Sequence, residues 1–161
     1  MSRSLGSALP PHLYTLLGRE RTAWHEGKAI PIVTTDPQGR PHPALLSYDE
    51  VAATDPQTIR LAIGSQSQTA KNLGQRQAVT VLVLDSGLAY YLKGSARELK
   101  PGLAHSPGSA LFAVRLEEVL EDQAREDTEA GIRLTGGVTF QGPEGMDPEK
   151  RRQAFLELLG E

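Results

Sequence analysis

The stretch that decides the fold runs from Thr58 to Leu84 and reads T-I-R-L-A-I-G-S-Q-S-Q-T-A-K-N-L-G-Q-R-Q-A-V-T-V-L-V-L. Ile59, Leu61 and Ile63 alternate with Arg60 and Ala62, the period of a half-buried strand that Gly64 closes. Ser65, Gln66, Ser67 and Gln68 make a polar break, and residues 69–76 then place Ala70 and Leu73 at the spacing of a short helix. Residues 78–84 are apolar or β-branched throughout, the strongest strand signal in the chain.

Upstream, residues 29–35 form a β-branched run that ends at Asp36-Pro37-Gln38-Gly39, and residues 41–48 return as a second strand. Proline at the second turn position and glycine at the fourth predict a type I turn, hence a hairpin. Earlier still, Pro10 and Pro11 open a predicted helix over 11–26, with Leu13, Leu16, Leu17 and Trp24 on one face and Gly27 at its end. Residues 49–57 read as a loop closed by Asp55-Pro56.

Downstream, residues 88–100 predict a long strand in which Gly94 marks a bulge or sharp bend. Residues 110–120 alternate imperfectly and read as a further strand, with a solvated acidic face or loop over 117–129. A weaker strand is expected over 132–140. Asp147-Pro148 supplies an N-cap and first turn for a last helix whose face is Phe155, Leu158 and Leu159 and whose end is Gly160. Strands at short intervals without βαβ alternation predict a mainly β (α+β) fold, an antiparallel barrel of about six strands with peripheral helices.

Composition narrows the chemistry. The 161 residues fit one domain, read as spanning 1–161. Cysteine is absent, which removes disulfides, thiolate nucleophiles and cysteine metal sites. A net charge of −3 and 5% aromatics give neither the basic footprint nor the stacking platforms of a nucleic-acid binder. No apolar run approaches a membrane span and no secretion signal opens the chain, so a cytoplasmic location is expected. His12, His25, His42 and His105 show no metal-ligand spacing and read as surface or loop residues. Nucleophile elbows and nucleotide-binding glycine motifs are absent.

The segment Ser65–Leu73 is the exception. A strand ends, hydroxyls and amides cluster, and a helix begins that carries Lys71. Helix N-termini present unpaired N–H groups and partial positive charge, which favour a phosphate. The same residues also suit a plain N-capped surface helix.

The order of these pieces resembles the pyridoxamine 5'-phosphate oxidase-like family, the FMN-binding split β-barrels. The resemblance rests on Asp36, Gly39 and Pro41 of the hairpin; on Ser67, Thr69, Asn72 and Leu73 of the polar turn; and on Gly94, Ala96 and Arg97 of the bent strand. It implies an antiparallel split β-barrel and a homodimer with FMN in clefts at the subunit interface. The FMN phosphate would then lie against Ser65, Ser67, Thr69 and Lys71, with Asn72 supporting the loop. The isoalloxazine ring would lie along Leu45, Leu46 and Ser47, with a backbone N–H or the Ser47 hydroxyl near N5. Ala44 stands where the family's vitamin-phosphate oxidases carry a basic residue, and residues 142–161 lack their basic, aromatic C-terminal segment. The implied activity is thus a flavin-dependent oxidoreductase on another small molecule or electron donor. The alternative is a non-catalytic dimeric module that holds flavin or haem.

Overall fold

A computed structural model describes residues 2–22, 25–142 and 147–160. Among these residues nine strands form one antiparallel sheet: β1 Ser2–Ser4, β2 Lys28–Thr35, β3 Pro41–Ser47, β4 Val51–Asp55, β5 Thr58–Gly64, β6 Ala78–Asp85, β7 Leu88–Lys100, β8 Ser109–Asp122 and β9 Val138–Thr139. The main path runs β3-β2-β6-β7-β8-β5-β4, with β1 added beside β8 and β9 beside β2. The helices are α1 Pro11–Leu17, α2 Gln68–Arg76 and α3 Pro148–Leu159.

Connectivity forces the sheet to curl. Its two end strands, β3 and β4, are joined by a single 3-10 turn, Tyr48–Glu50. So short a link reaches at most about 14 Å, so the ends of a seven-strand path come back together. They meet without pairing among the described residues, which leaves the barrel split.

Period-2 alternation then sorts the side chains. Ile59, Leu61 and Ile63 of β5 point inward to the main core, joined by Ile30, Ile32, Val81, Val83, Leu92 and Phe112. Leu13 and Leu17 of α1 and Leu73 of α2 close that core. On the outer face, Ala52 of β4, Ala62 of β5 and Leu111 of β8 form a second cluster with Leu103, Phe155 and Leu158. Small alanines there let α3 lie close, and Arg60 Nη1 donates to Leu158 O at 2.9 Å at the helix end.

Most expected elements are present. The hairpin turn is closed by Gly39 N–H donating to Asp36 O at 2.9 Å, with Gly39 at φ +78°. At Gly94 the β7–β8 register shifts, and a Cβ there would collide with the Arg115 carbonyl oxygen, so the bulge requires glycine. The ambiguous run 110–120 is part of strand β8. Asp147 caps α3 by accepting from Glu149 N, and Gly160 ends it at φ +92°.

Four expectations change. Helix α1 stops at Leu17 rather than near Gly27, because Gly18 turns extended in a space where a Cβ would lie 2.5 Å from Tyr14 O. Trp24 lies outside the described residues. The loop expected at 49–57 holds strand β4, whose Val51, Ala52 and Ala53 are all buried and so show no alternation. The acidic run starts within β8, where its side chains are bonded: Glu117 to Ser95, Glu118 to Lys93, Glu121 to Tyr90 and Arg3, Asp122 to Tyr91. Finally, the strand expected over 132–140 shrinks to β9. Ile132 and Leu134 stay exposed, while Gly137 packs where a Cβ would meet the Leu84 carbonyl. No helix among the described residues is long and apolar enough to cross a membrane.

Candidate functional site

The turn from β5 to α2 is built by local chemistry. Ser67 N–H donates to Gly64 O at 2.9 Å, and Ser67 Oγ accepts from Ala70 N at 3.1 Å as the N-cap. Ser65 donates twice to Gly108 O, from N at 2.9 Å and from Oγ at 3.1 Å. Thr69 is buried at 5% exposure, whereas Lys71 is exposed and has no bonded partner among the described residues. Asn72 is fully buried and bonded to Thr34 Oγ1 at 3.0 Å in either orientation of its amide, which ties α2 to β2.

A cavity of about 410 Å³ lies between the end of β3 with its following turn and the residues of β5, α3 and the 101–108 loop. One wall is Ala29, Leu45, Leu46 and Ser47 from β2 and β3; the other is Ala62, Leu103, Ser106 and the α3 residues Ala154 and Leu158. Phe140 covers one side, and Asp49, Glu50 and Arg151 supply the polar part. Leu45 is 61% exposed, a large apolar side chain on an end strand. Both the Ser47 N–H, at 2.7 Å, and the Ser47 Oγ–H, at 3.1 Å, donate to Glu50 Oε2, so that hydroxyl already has an acceptor.

The polar wall is held from beneath by two guanidiniums. Arg151 Nε donates to Asp49 Oδ2 at 2.5 Å, while Asp49 Oδ1 is buried without a hydrogen-bond partner among the described residues. Arg21 is buried and donates to Leu17 O and Val51 O at 3.0 Å each, Tyr48 O at 3.1 Å and Gly18 O at 3.4 Å. It also stacks 3.6 Å above the Phe155 ring. Burial lowers its pKa to about 10, against the partial support of Asp49 and Tyr48. One residue from Asp49, burial pushes the Tyr48 phenol up to about 12, with Asp85 adding to the effect; its hydroxyl also has no partner. His25 stacks on Tyr48 at 4.5 Å, and burial followed by the Lys28 charge lowers its pKa. Burial would raise the Asp85 carboxyl, but bonds from Lys28 and the Ser86 N–H hold it below the usual range.

Thus Leu45, Leu46 and Ser47 meet at the cavity, whereas Ser65, Ser67, Thr69, Lys71 and Asn72 gather at the start of α2 outside its lining. The 101–108 loop connects the groups: Ser106 lines the cavity and Gly108 receives Ser65. Sequence reading missed Asp49, Glu50, Ser106, Phe140 and Arg151. Asp49 and Arg151 stand 102 positions apart, and neither has a local signature.

Known proteins share the fold. YclD, an uncharacterized protein of Bacillus subtilis (strain 168), is 26% identical over 129 residues, covering 80% of this chain and 84% of its own length. A solved structure from Lactobacillus delbrueckii, offered as a pyridoxamine 5'-phosphate oxidase, superposes with a TM-score of 0.57 at 14% identity and covers 73% of this chain and 98% of its own. An F420 reductase gives 0.51 at 16% identity, covering 68% and 98%. These structural likenesses establish the split-barrel fold. A family model described as pyridoxamine 5'-phosphate oxidase matches residues 18–136, a span that takes in the hairpin, the β5–α2 turn and the bulged strand, and the chain belongs to that family.

Proposed function

We propose that the protein binds FMN and acts as a flavin-dependent oxidoreductase on a small molecule, as a homodimer whose interface completes the cofactor cleft. The observation that carries this reading is the largely apolar cavity beside β3, joined through Ser106 and Gly108 to the N-terminus of α2. Its volume lies in the range of small-molecule sites. The donor set fits the cofactor. Helix α2 offers first-turn N–H groups without intrahelical partners, the Ser67 hydroxyl and the Lys71 ammonium to a phosphate. Leu45 and Leu46 offer apolar surface to a flat ring, and the 61% exposure of Leu45 favours cover by a ligand or a second copy.

When bound, FMN supplies the electron-transfer chemistry. The chain's residues bind, orient and exclude water. Asn72 keeps α2 fixed to β2, so that the phosphate end cannot drift from the sheet. Glu50 fixes the end of β3 by accepting from both donors of Ser47. Leu103, Phe140 and α3 screen the cavity from solvent.

The test is a visible spectrum of the purified protein after FMN loading, with mass analysis of what denaturation releases; mass distinguishes FMN from F420 or haem. Lys71→Ala should weaken FMN binding about tenfold or more, as loss of a charge-assisted contact, and leave riboflavin, which lacks the phosphate, nearly unchanged. Unaltered FMN affinity would overturn the phosphate assignment. FMN that binds but is reduced by no nicotinamide donor would favour a non-catalytic module.

A further inference from the structure

We infer that Asp49 is a cofactor-recognition residue, the acceptor for the imide N–H of the flavin ring, with Arg151 donating to the neighbouring ring carbonyl. The inference rests on the proposed FMN binding and adds a specificity determinant to it. Its starting point is an unpaid obligation: the Asp49 side chain is 7% exposed and lines the cavity, yet only Oδ2 has a partner. A buried carboxylate oxygen without a donor is costly, and such groups in native proteins call for an explanation.

Charge fixes the kind of donor required. The carboxylates lining the cavity are Asp49 and Glu50, and the nearby cations are Arg151 in the lining and Arg21 behind it, whose charged form Asp49 supports. Two negative and two positive groups leave no net field that would select an ammonium or a phosphate. A neutral N–H donor therefore fits best. Arg151 uses only Nε toward Asp49, and its terminal N–H groups have no partner among the described residues. Asp49 and Arg151 thus line the same largely apolar cavity, with Oδ1 itself covered by the protein. A flat apolar heterocycle whose N–H is flanked by carbonyls complements that arrangement, and the pyrimidine edge of isoalloxazine is such a group. The terminal torsion of Asp is broad, so the carboxylate would turn on ligand binding to bring Oδ1 out of its covered position to the cavity.

The test compares FMN with N3-methyl-FMN on the full-length protein, by quenching of flavin fluorescence. Both carry the phosphate, and they differ only at N3, where a methyl group replaces the imide N–H; the exchange measurement below separates the lost donor from the added bulk. Wild-type protein should bind the methylated form about 10- to 100-fold more weakly, the usual worth of a hydrogen bond to a charged group. With 15N-labelled FMN, the N3–H proton should become visible and slow to exchange with water. In Asp49→Ala the methylation penalty should largely vanish; should that variant not fold, the wild-type comparison and the exchange measurement decide alone. Binding of the two flavins within about twofold, or an N3–H that exchanges as fast as in free FMN, overturns the role of Asp49 while leaving FMN binding intact. Failure of FMN itself to bind overturns both readings.

Discussion

Replacing Arg21 by alanine probes how the polar wall is supported. Arg21 leaves the chain just after α1 and reaches the carbonyls of Leu17 and Gly18 at the helix end and those of Tyr48 and Val51 on either side of the turn that carries Asp49. It therefore satisfies the C-terminal carbonyls of α1 and clamps the link between the two end strands. Three of its bonds lie at 3.0–3.1 Å and the fourth is long at 3.4 Å. Hydrogen bonds from a charged donor are worth about 2 kcal/mol each, so the three good ones contribute about 6 kcal/mol. Burial opposes them: lowering the pKa to about 10 corresponds to a cost on the order of 3 kcal/mol. The stacking on Phe155 returns about 1 kcal/mol. Arg21→Ala should then destabilise by about 4 kcal/mol, which lowers Tm by roughly 10 °C in a chain of this size. Urea denaturation monitored by circular dichroism measures it. Arg21→Lys, which keeps the charge but loses the fork, should recover less than half. A loss below about 1 kcal/mol, or full recovery by lysine, would refute the clamp.

Three further predictions concern buried positions. Tyr48→Phe removes a buried hydroxyl that has no partner among the described residues, so it should raise stability by about 1 kcal/mol rather than lower it, read as a higher urea midpoint. The sign with pH follows: unfolded tyrosines ionise near 10, while Tyr48 and Tyr90 keep their protons to about 12, so stability should fall as pH rises from 10 to 12. Arg21, lowered to about 10, gives the opposite slope but is one group against two, and Tyr48→Phe should make the fall shallower. Gly94→Ala places a Cβ against the Arg115 carbonyl and 2.9 Å from Val114 Cγ1, which should cost about 3 kcal/mol or more and leave little folded protein at 37 °C.

What could be read from sequence was local in origin. The hairpin turn is closed by Asp36 and Gly39, three positions apart, and the α2 cap by Ser67 and Ala70 at the same spacing. Both are decided by residues that neighbour one another in the chain. The α3 boundaries, Asp147-Pro148 and Gly160, are of the same kind. Strand β4 failed because alternation signals one wet face, and Val51, Ala52 and Ala53 are covered on both by the barrel core and by α3. The early end of α1 failed because glycine is tolerated in a helix at modest cost. What stops the helix is Gly18 turning extended against Tyr14 O and an arginine that serves two elements at once.

The same distinction explains why half of the candidate site was visible. Ser65, Ser67 and Lys71 advertise themselves, because a helix N-terminus with hydroxyls and a cation is a motif whatever surrounds it. An orphaned acceptor cannot advertise itself. Asp49 is one of many acidic residues in the sequence, and its meaning lies in what its neighbours do not supply. Arg151 satisfies one oxygen from 102 positions away, and no other described side chain reaches the second. That absence is a property of the assembled packing of β3, the 3-10 turn and α3. A residue at position 49 that merely held α3 would do so with both oxygens, as Glu157 does when one takes the Ala104 N–H and the other the His105 N–H. Asp49 anchors α3 with one oxygen and leaves the other buried without a donor among the described residues, an arrangement that would gain stability from a donor entering from outside the chain.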